Sequence, residues 1–239
     1  MKNLNHNLYL TLEFLSNKEL YYSSLINNNQ IIITDEDFKH AAKVMRHLVG
    51  DQLFVTDGTG NIYETIIKEI KKDCILSDIG QQYSFKNKYK NLFFCIPKLK
   101  SPERFEFALE KCTELGITNF IIFNADHSVA KGDKIERWQK IVLAAMKQSL
   151  NCYLPQIIPI NRLNNLSEGG IKVIFEQNSK NSFLDFSNIQ GNDYYFIFGP
   201  EGGLSKKEIE LFDNSVIYNL AENRLRAETA IIKTASMLK

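Results

Sequence analysis

Apolar and polar residues alternate with a period of two in several stretches of the first third of the chain. Leu8, Leu10, Leu12 and Phe14 in "LYLTLEF" share one face of a half-buried strand. "QIIIT" is a short apolar run of strand length. Leu53 and Val55 alternate before "DGTGN", and Ile62, Thr65 and Ile67 continue after it. That pattern predicts a hairpin closed by a glycine turn. "CILSDI" predicts a further strand. Between them the period changes to that of a helix. Phe38, Ala41, Ala42, Met45 and Leu48 fall on one helical face, with Thr34 placed to cap it and Asp35, Glu36 and Asp37 in the first turn. A small, mostly β domain therefore spans residues 1–85.

The polar, basic segment "SFKNKYKN" ends that rhythm, and 86–239 reads as a second domain of alternating strands and helices. "LFFCI", "NFIIF", "PQIIPI", "IKVIFE", "YYFIF" and "VIYNL" are short apolar strands. Ser101, Pro102 and Gly116 bracket one helix as cap, first residue and stop. Ile135, Trp138, Val142, Ala145 and Ser149 line a second. "SKKE" at 205–208 is a capping box, and "AETAIIKTASML" closes the chain as a helix. Uniformly apolar strands alternating with helices predict an α/β fold with a parallel sheet covered on both faces.

Composition narrows the function classes. Of 239 residues, 44% are hydrophobic and 24% charged, with a net charge of +1, as in ordinary soluble domains. The near-neutral balance predicts weak non-specific binding to nucleic acid. The charge is nonetheless uneven: residues 86–111 carry 7 Lys and Arg against 3 Asp and Glu. Cys74, Cys95, Cys112 and Cys152 form no C-x-x-C and have no histidine at metal-ligand spacing, so buried thiols are expected and no metal site. No stretch reaches the roughly 18 apolar residues of a membrane span. A reducing, cytoplasmic setting is the expectation.

The candidate chemistry lies in two strand-end loops. Gly199-Pro200-Glu201-Gly202-Gly203 follows "YYFIF" and precedes the capping box. Strand ends of this kind carry the ligand sites of parallel sheets. A phosphate-binding P-loop needs Lys and then Ser or Thr after its last glycine, whereas Leu204 stands here, and Glu201 repels polyphosphate. No G-x-G-x-x-G is present. From these residues alone, a ligand loop and a tight turn are both open. "NLAENRLRAETA" also joins a strand to a helix and brings Arg224, Arg226, Glu228 and Thr229. A basic loop beside a glycine loop suits an electron-rich base or an anion. Glu228 is read as an ion-pair partner and His127 as a surface histidine.

"FGPEGGLSKKEIE" followed by "LAENRLRAETA" resembles the paired C-terminal motifs of the ribosomal RNA small subunit methyltransferase E family. "KLKSPERFEFALEKCTELG", "KIERWQKIVLAAMKQS" and "KHAAKVMRHLVGDQLFVTDGTGN" are similar to its other segments. The resemblance implies a PUA-like β-barrel RNA-binding domain and a SPOUT α/β domain with a trefoil knot. It implies methylation of N3 of a uridine in 16S rRNA, S-adenosylmethionine as cofactor, and a homodimer. The weak non-specific binding expected from the near-neutral charge favours the folded 30S particle over free rRNA as substrate, with both left open by the sequence. It places Gly199, Pro200, Glu201, Gly202, Gly203, Leu220, Leu225 and Thr229 at the cofactor. Arg226 is placed at the reacting base, and Arg46 and Arg224 at RNA. Residues Ala221 to Arg224 depart from the family's pattern, which has a glycine after the leucine, and the family's N-terminal arginine pair is missing. A different SPOUT activity, on ribose or guanine in tRNA, and a non-catalytic RNA-binding assembly factor are the rival readings.

Overall fold

The structure is a computed structural model that describes residues 18–130, 132–187 and 191–238. The strand expected over Leu8 to Phe14 lies outside them. The described chain divides into two units, one of residues 1–87 with Met146–Leu154, the other of Lys88–Ala145 with Pro155–Lys239.

The first unit is built on one six-stranded sheet. Its strands are β1 (Leu20–Tyr22), β2 (Ile26–Asn27), β3 (Gln30–Ile33), β4 (Gln52–Thr56), β5 (Asn61–Ile70) and β6 (Ile75–Ser84), in the order β1-β4-β5-β6-β3-β2. Only the β1–β4 pair is parallel. The expected hairpin is β4–β5, with Val55 opposite Tyr63. Leu53 and Val55 enter one core with Ile31, Ile33 and Ile67. Phe54 is buried on the opposite face beside Leu20, Ile62 and Cys152, so this strand is covered on both sides. Cys152 arrives with Met146–Leu154, which hydrogen-bonds the hairpin turn through Gly60 N–H to the Cys152 carbonyl at 2.9 Å and Leu154 N–H to the Gly58 carbonyl at 2.8 Å.

The helix of this unit differs from its expected form. Helix α1 (Asp35–Lys39) passes into a π-helical turn over His40–Val44. Thr34 stands at the cap position, but its hydroxyl bonds the Asp35 carboxylate at 2.8 Å rather than a backbone amide. The wider turn rotates later side chains off the 3.6-residue face. Arg46 then ends the helix with φ +57°. Phe38 and Ala41 are buried as expected, whereas Met45 is 44% and Leu48 69% exposed.

The second unit carries a wholly parallel sheet. Its strands are β7 (Leu92–Pro97), β8 (Asn119–Phe123), β9 (Gln156–Pro159), β10 (Ile171–Phe175), β11 (Tyr194–Ile197) and β12 (Val216–Tyr218). Their order is β12-β10-β11-β7-β8-β9. Along each strand side chains alternate between two cores. Phe94, Ile96, Phe120, Ile122, Val173 and Phe196 pack under α2 (Pro102–Glu114), α3 (Ile135–Gln148) and the C-terminal helix. Cys95, Ile121, Phe123, Ile174 and Ile197 pack on the other face with Leu163, Leu166 and Ile209. The apolar strands are thus explained by burial on both faces. Ser101 caps α2 by accepting from Arg104 N–H at 3.3 Å. The capping box forms in full at α4 (Lys206–Glu210), with Glu208 N–H to Ser205 Oγ at 3.2 Å and Ser205 N–H to Glu208 Oε2 at 2.8 Å. The last helix, α5 (Ala227–Met237), packs against α2.

Candidate active site

Four neighbouring strands, β12, β10, β11 and β7, point their carboxyl ends the same way, and the segments that follow them close one cleft of about 600 Å³. That volume suits a small-molecule ligand. After β11 come Phe198 and the whole run Gly199 to Gly203. After β12 come Asn219 to Ala221 and Asn223 to Ala227, and α5 adds Ala230. After β10 come Glu176 and Gln177, beyond Phe175 at the strand's own end. Arg104 reaches the cleft from the first turn of α2.

The glycine loop is held at several points. Gly203 N–H bonds the Pro200 carbonyl at 2.9 Å and closes a tight turn, and Gly203 sits at φ +74°. A Cβ on Gly199 would lie 3.1 Å from Gly203 Cα and Leu204 N, so the two ends of the loop touch through backbone alone. The Glu201 carboxylate accepts from Lys100 N–H at 3.2 Å. It is therefore tied to the segment leading into α2. His127, in the turn after β8, sets Nδ1 3.2 Å from the Gly202 carbonyl and 3.1 Å from that of Gly203.

The basic loop is anchored through Asn219. Its side-chain oxygen accepts from Ala221 N–H at 2.8 Å, its amide donates to the Gln177 carbonyl at 2.7 Å, and its backbone N–H donates to the Asn181 carbonyl at 2.7 Å. Ala221 has no positive φ, so the backbone conformation there does not require glycine. Arg226 is exposed at the N-cap position of α5, with no side-chain cap bond. Arg104 pairs with Glu228 at 3.6 Å, the carboxylate 13% and the guanidinium 42% exposed. Glu228 takes the ion-pair role read from the sequence.

Of the candidate residues, Gly199, Pro200, Glu201, Gly202, Gly203, Leu220, Arg224, Leu225 and Arg226 all line this cleft. Thr229 is exposed and outside the lining, where its neighbour Ala230 stands. Arg46 belongs to the first unit, exposed at its left-handed turn. Sequence reasoning missed Arg104, Phe175, Glu176, Gln177 and Asn219. The available signal was that "IKVIFEQN" is one more strand followed by polar residues.

Strand-end loops around such a cleft, on a fully parallel sheet, define a ligand-binding α/β domain. Residues 86–239 match the family model of an RNA methyltransferase domain, and residues 33–79 that of an RNA methyltransferase PUA domain. The chain belongs to the ribosomal RNA small subunit methyltransferase E family. It is 30% identical over 232 residues to ribosomal RNA small subunit methyltransferase E 2 of Borreliella burgdorferi, covering 88% of this chain and 91% of that one. A Porphyromonas gingivalis structure described as a probable rRNA-methyltransferase superposes with TM-score 0.82 at 27% identity, over 91% of this chain and 95% of the other. The Neisseria gonorrhoeae ribosomal RNA small subunit methyltransferase E, bound to S-adenosyl methionine, shares the fold with TM-score 0.79 at 23% identity, over 92% and 95% of the two chains.

Proposed function

We propose that this protein transfers a methyl group from S-adenosylmethionine to N3 of one uridine in 16S rRNA. The observation that carries the reading is the joint closure of one cleft by the glycine loop and the arginine loop. The residues fit the cofactor. The floor is glycine backbone at a point where a side chain would collide, and Phe175, Phe198, Leu220 and Leu225 offer apolar walls. Gly199 to Gly203, Leu220 and Leu225 would hold it, with Thr229 at the first turn of α5 next to them in sequence. Bound there, S-adenosylmethionine supplies a methyl group on a sulfonium, which needs no further activation.

The chain has two tasks. It orients the base against the methyl group, and it stabilises the charge that N3 gains on losing its proton to solvent. Arg226 performs the second as an exposed, permanently charged guanidinium on the cleft. Arg224 contacts RNA beside it. Glu228 stays with Arg104 and takes no proton. A PUA-like domain of residues 1–85 contacts RNA through Arg46, and 86–239 is the catalytic domain.

The finer architecture belongs to the same reading. A knot in the second domain is supported by its strand order: the 160–170 connection leads from the edge strand β9 across to β10, and β11 then enters between β10 and β7. The reading also takes in a closed barrel in the first domain, a homodimer, and action on the 30S particle in the cytoplasm. Among the described residues, no helix is long and apolar enough to cross a membrane.

The test is methyl transfer to small subunits that lack the modification, with the methylated atom mapped by mass spectrometry. Transfer to uridine N3 is expected. Arg226→Ala should abolish it while S-adenosylmethionine binding stays within about tenfold. Methylation of ribose or guanine would establish the different SPOUT activity, and absence of cofactor binding would favour the assembly factor.

A further inference from the structure

We propose that His127 is a positioning residue that fixes the glycine loop in its cofactor-binding form. The proposal rests on the reading of that loop as a cofactor site. Both atoms facing His127 Nδ1, the Gly202 and Gly203 carbonyl oxygens, are acceptors, at 3.2 and 3.1 Å. The ring must therefore carry its proton on Nδ1 and donate. One N–H shared between successive carbonyls sets the orientation of two peptide planes at once, since each peptide is rigid. Gly202 permits the approach. A Cβ there would meet His127 Cβ at 3.0 Å.

The turn that carries His127 is itself anchored on both sides. Asp126 N–H donates to Glu208 Oε1 at 3.0 Å, and Ser205 Oγ donates to Asp126 Oδ2 at 2.7 Å. Arg162 bonds the other Asp126 oxygen. These bonds hold the Asp126 carboxyl below the usual range, that from Ser205 being the largest cause. On the far side, Ser128 Oγ donates to the Lys98 carbonyl at 3.1 Å. Two residues after Lys98, Lys100 N–H holds Glu201. The loop is thus gripped from the β7 end through Glu201 and from the β8 end through His127. The α4 capping box joins the second grip through Ser205 and Glu208.

The geometry dictates a specific rescue. Asparagine can place a side-chain N–H where Nδ1 stands, and glutamine places its amide one bond further out. Calorimetry with S-adenosylmethionine on the full chain is compared for wild type, His127→Ala, His127→Asn and His127→Gln. Loss of one shared hydrogen bond should weaken binding about fivefold in His127→Ala. His127→Asn should return to within about twofold and His127→Gln should not. Amide exchange over 199–205, without cofactor, should speed up in His127→Ala and recover in His127→Asn. His127 is exposed, so the melting temperatures of all four should agree within ~4 °C. Binding by His127→Ala within about twofold of wild type overturns the proposal and leaves the cofactor reading standing. Failure of asparagine to rescue also overturns it, because the effect then does not come from the donor. A wild type that binds no S-adenosylmethionine overturns the cofactor reading and the proposal with it, and is distinguished by lying in the unmutated protein.

Discussion

Gly199→Ala tests the cleft most directly. The new methyl would stand 3.1 Å from Gly203 Cα and Leu204 N and 3.2 Å from Gly203 C, where ordinary contact begins near 3.4 Å. All three neighbours are backbone, so no side chain can swing away. The two ends of the loop must separate by a few tenths of an ångström. Overpacking of this size costs about 1–3 kcal/mol when it cannot relax. Part of it can relax, because Glu201 and Gly202 are exposed and the loop can shift against the hydrogen bonds to Lys100 N–H and His127 that hold it. The strain is then spent on the shape of the cleft floor rather than on global stability. Small displacements of a binding frame have large effects. The expected outcome is S-adenosylmethionine binding weakened at least tenfold, about 1.4 kcal/mol, with the melting temperature lowered by less than ~4 °C. Gly203→Ala is the control. Its Cβ meets nothing within 4 Å, but its φ of +74° strains any side chain. It should lose about 1 kcal/mol of stability and weaken binding less than Gly199→Ala, because it strains the backbone but adds no collision. Calorimetry and thermal unfolding on the three proteins decide. Binding by Gly199→Ala within twofold of wild type, at unchanged melting temperature, would refute the reasoning, because the loop ends would then not close the cleft floor.

Ser205→Ala removes the hydroxyl that caps α4 and also bonds Asp126. A loss of about 1 kcal/mol, read as a melting temperature lower by ~2–4 °C, is expected. Burial pushes the Asp57 carboxyl up, but hydrogen bonds from the Asn61 side chain and Thr59 N–H outweigh it and leave the group below its ordinary value. A depressed carboxyl contributes stability above its unfolded pKa of about 3.9 and loses it as pH falls through the folded value. Asp57→Asn should therefore flatten the fall of the denaturation midpoint as pH drops below about 4; an unchanged acid limb would exclude Asp57 as a cause. Burial raises the thiols of Cys95 and Cys112 and, with a smaller contribution from Asp57, pushes Cys152 up to about 12. Only Cys74 is partly exposed. A thiol reagent at pH 8 should label Cys74 fast in the native protein and the other three cysteines only on unfolding, and mass spectrometry of the labelled peptides checks it.

The elements were legible where local chemistry decides them. Ser101 and the Ser205–Glu208 box mark helix starts because unsatisfied amides must find acceptors within three residues. The glycine and arginine loops were legible as strand ends because each follows a short apolar run and precedes a helix start. Strand order was not. Phe94, Ile174 and Ile197 are buried on strands that are apolar on both faces, so no residue there says which neighbour it takes. The two candidate loops read as the ends of strands consecutive in sequence, presented to one rim. In the sheet, β10 stands between β11 and β12, and its end adds Phe175, Glu176 and Gln177 to the cleft. The π turn after α1 was equally hidden, since a sequence at 3.6-residue spacing carries no mark of one wider turn.

The departure from the family's pattern at 221–224 can be weighed on the same grounds. A glycine is needed where φ is positive or where backbone approaches closely. Ala221 does not meet the first condition, and its N–H is held by the Asn219 side chain. Asn219 also ties the loop to the end of β10, so the loop's shape depends on its neighbours more than on residues 221–223. Arg224 keeps a cation on the cleft beside Arg226 and Arg104. Two arginines of that loop and Arg104 of α2 thus line the same cleft as the glycine loop after β11, whose backbone leaves no room for a methyl group at Gly199.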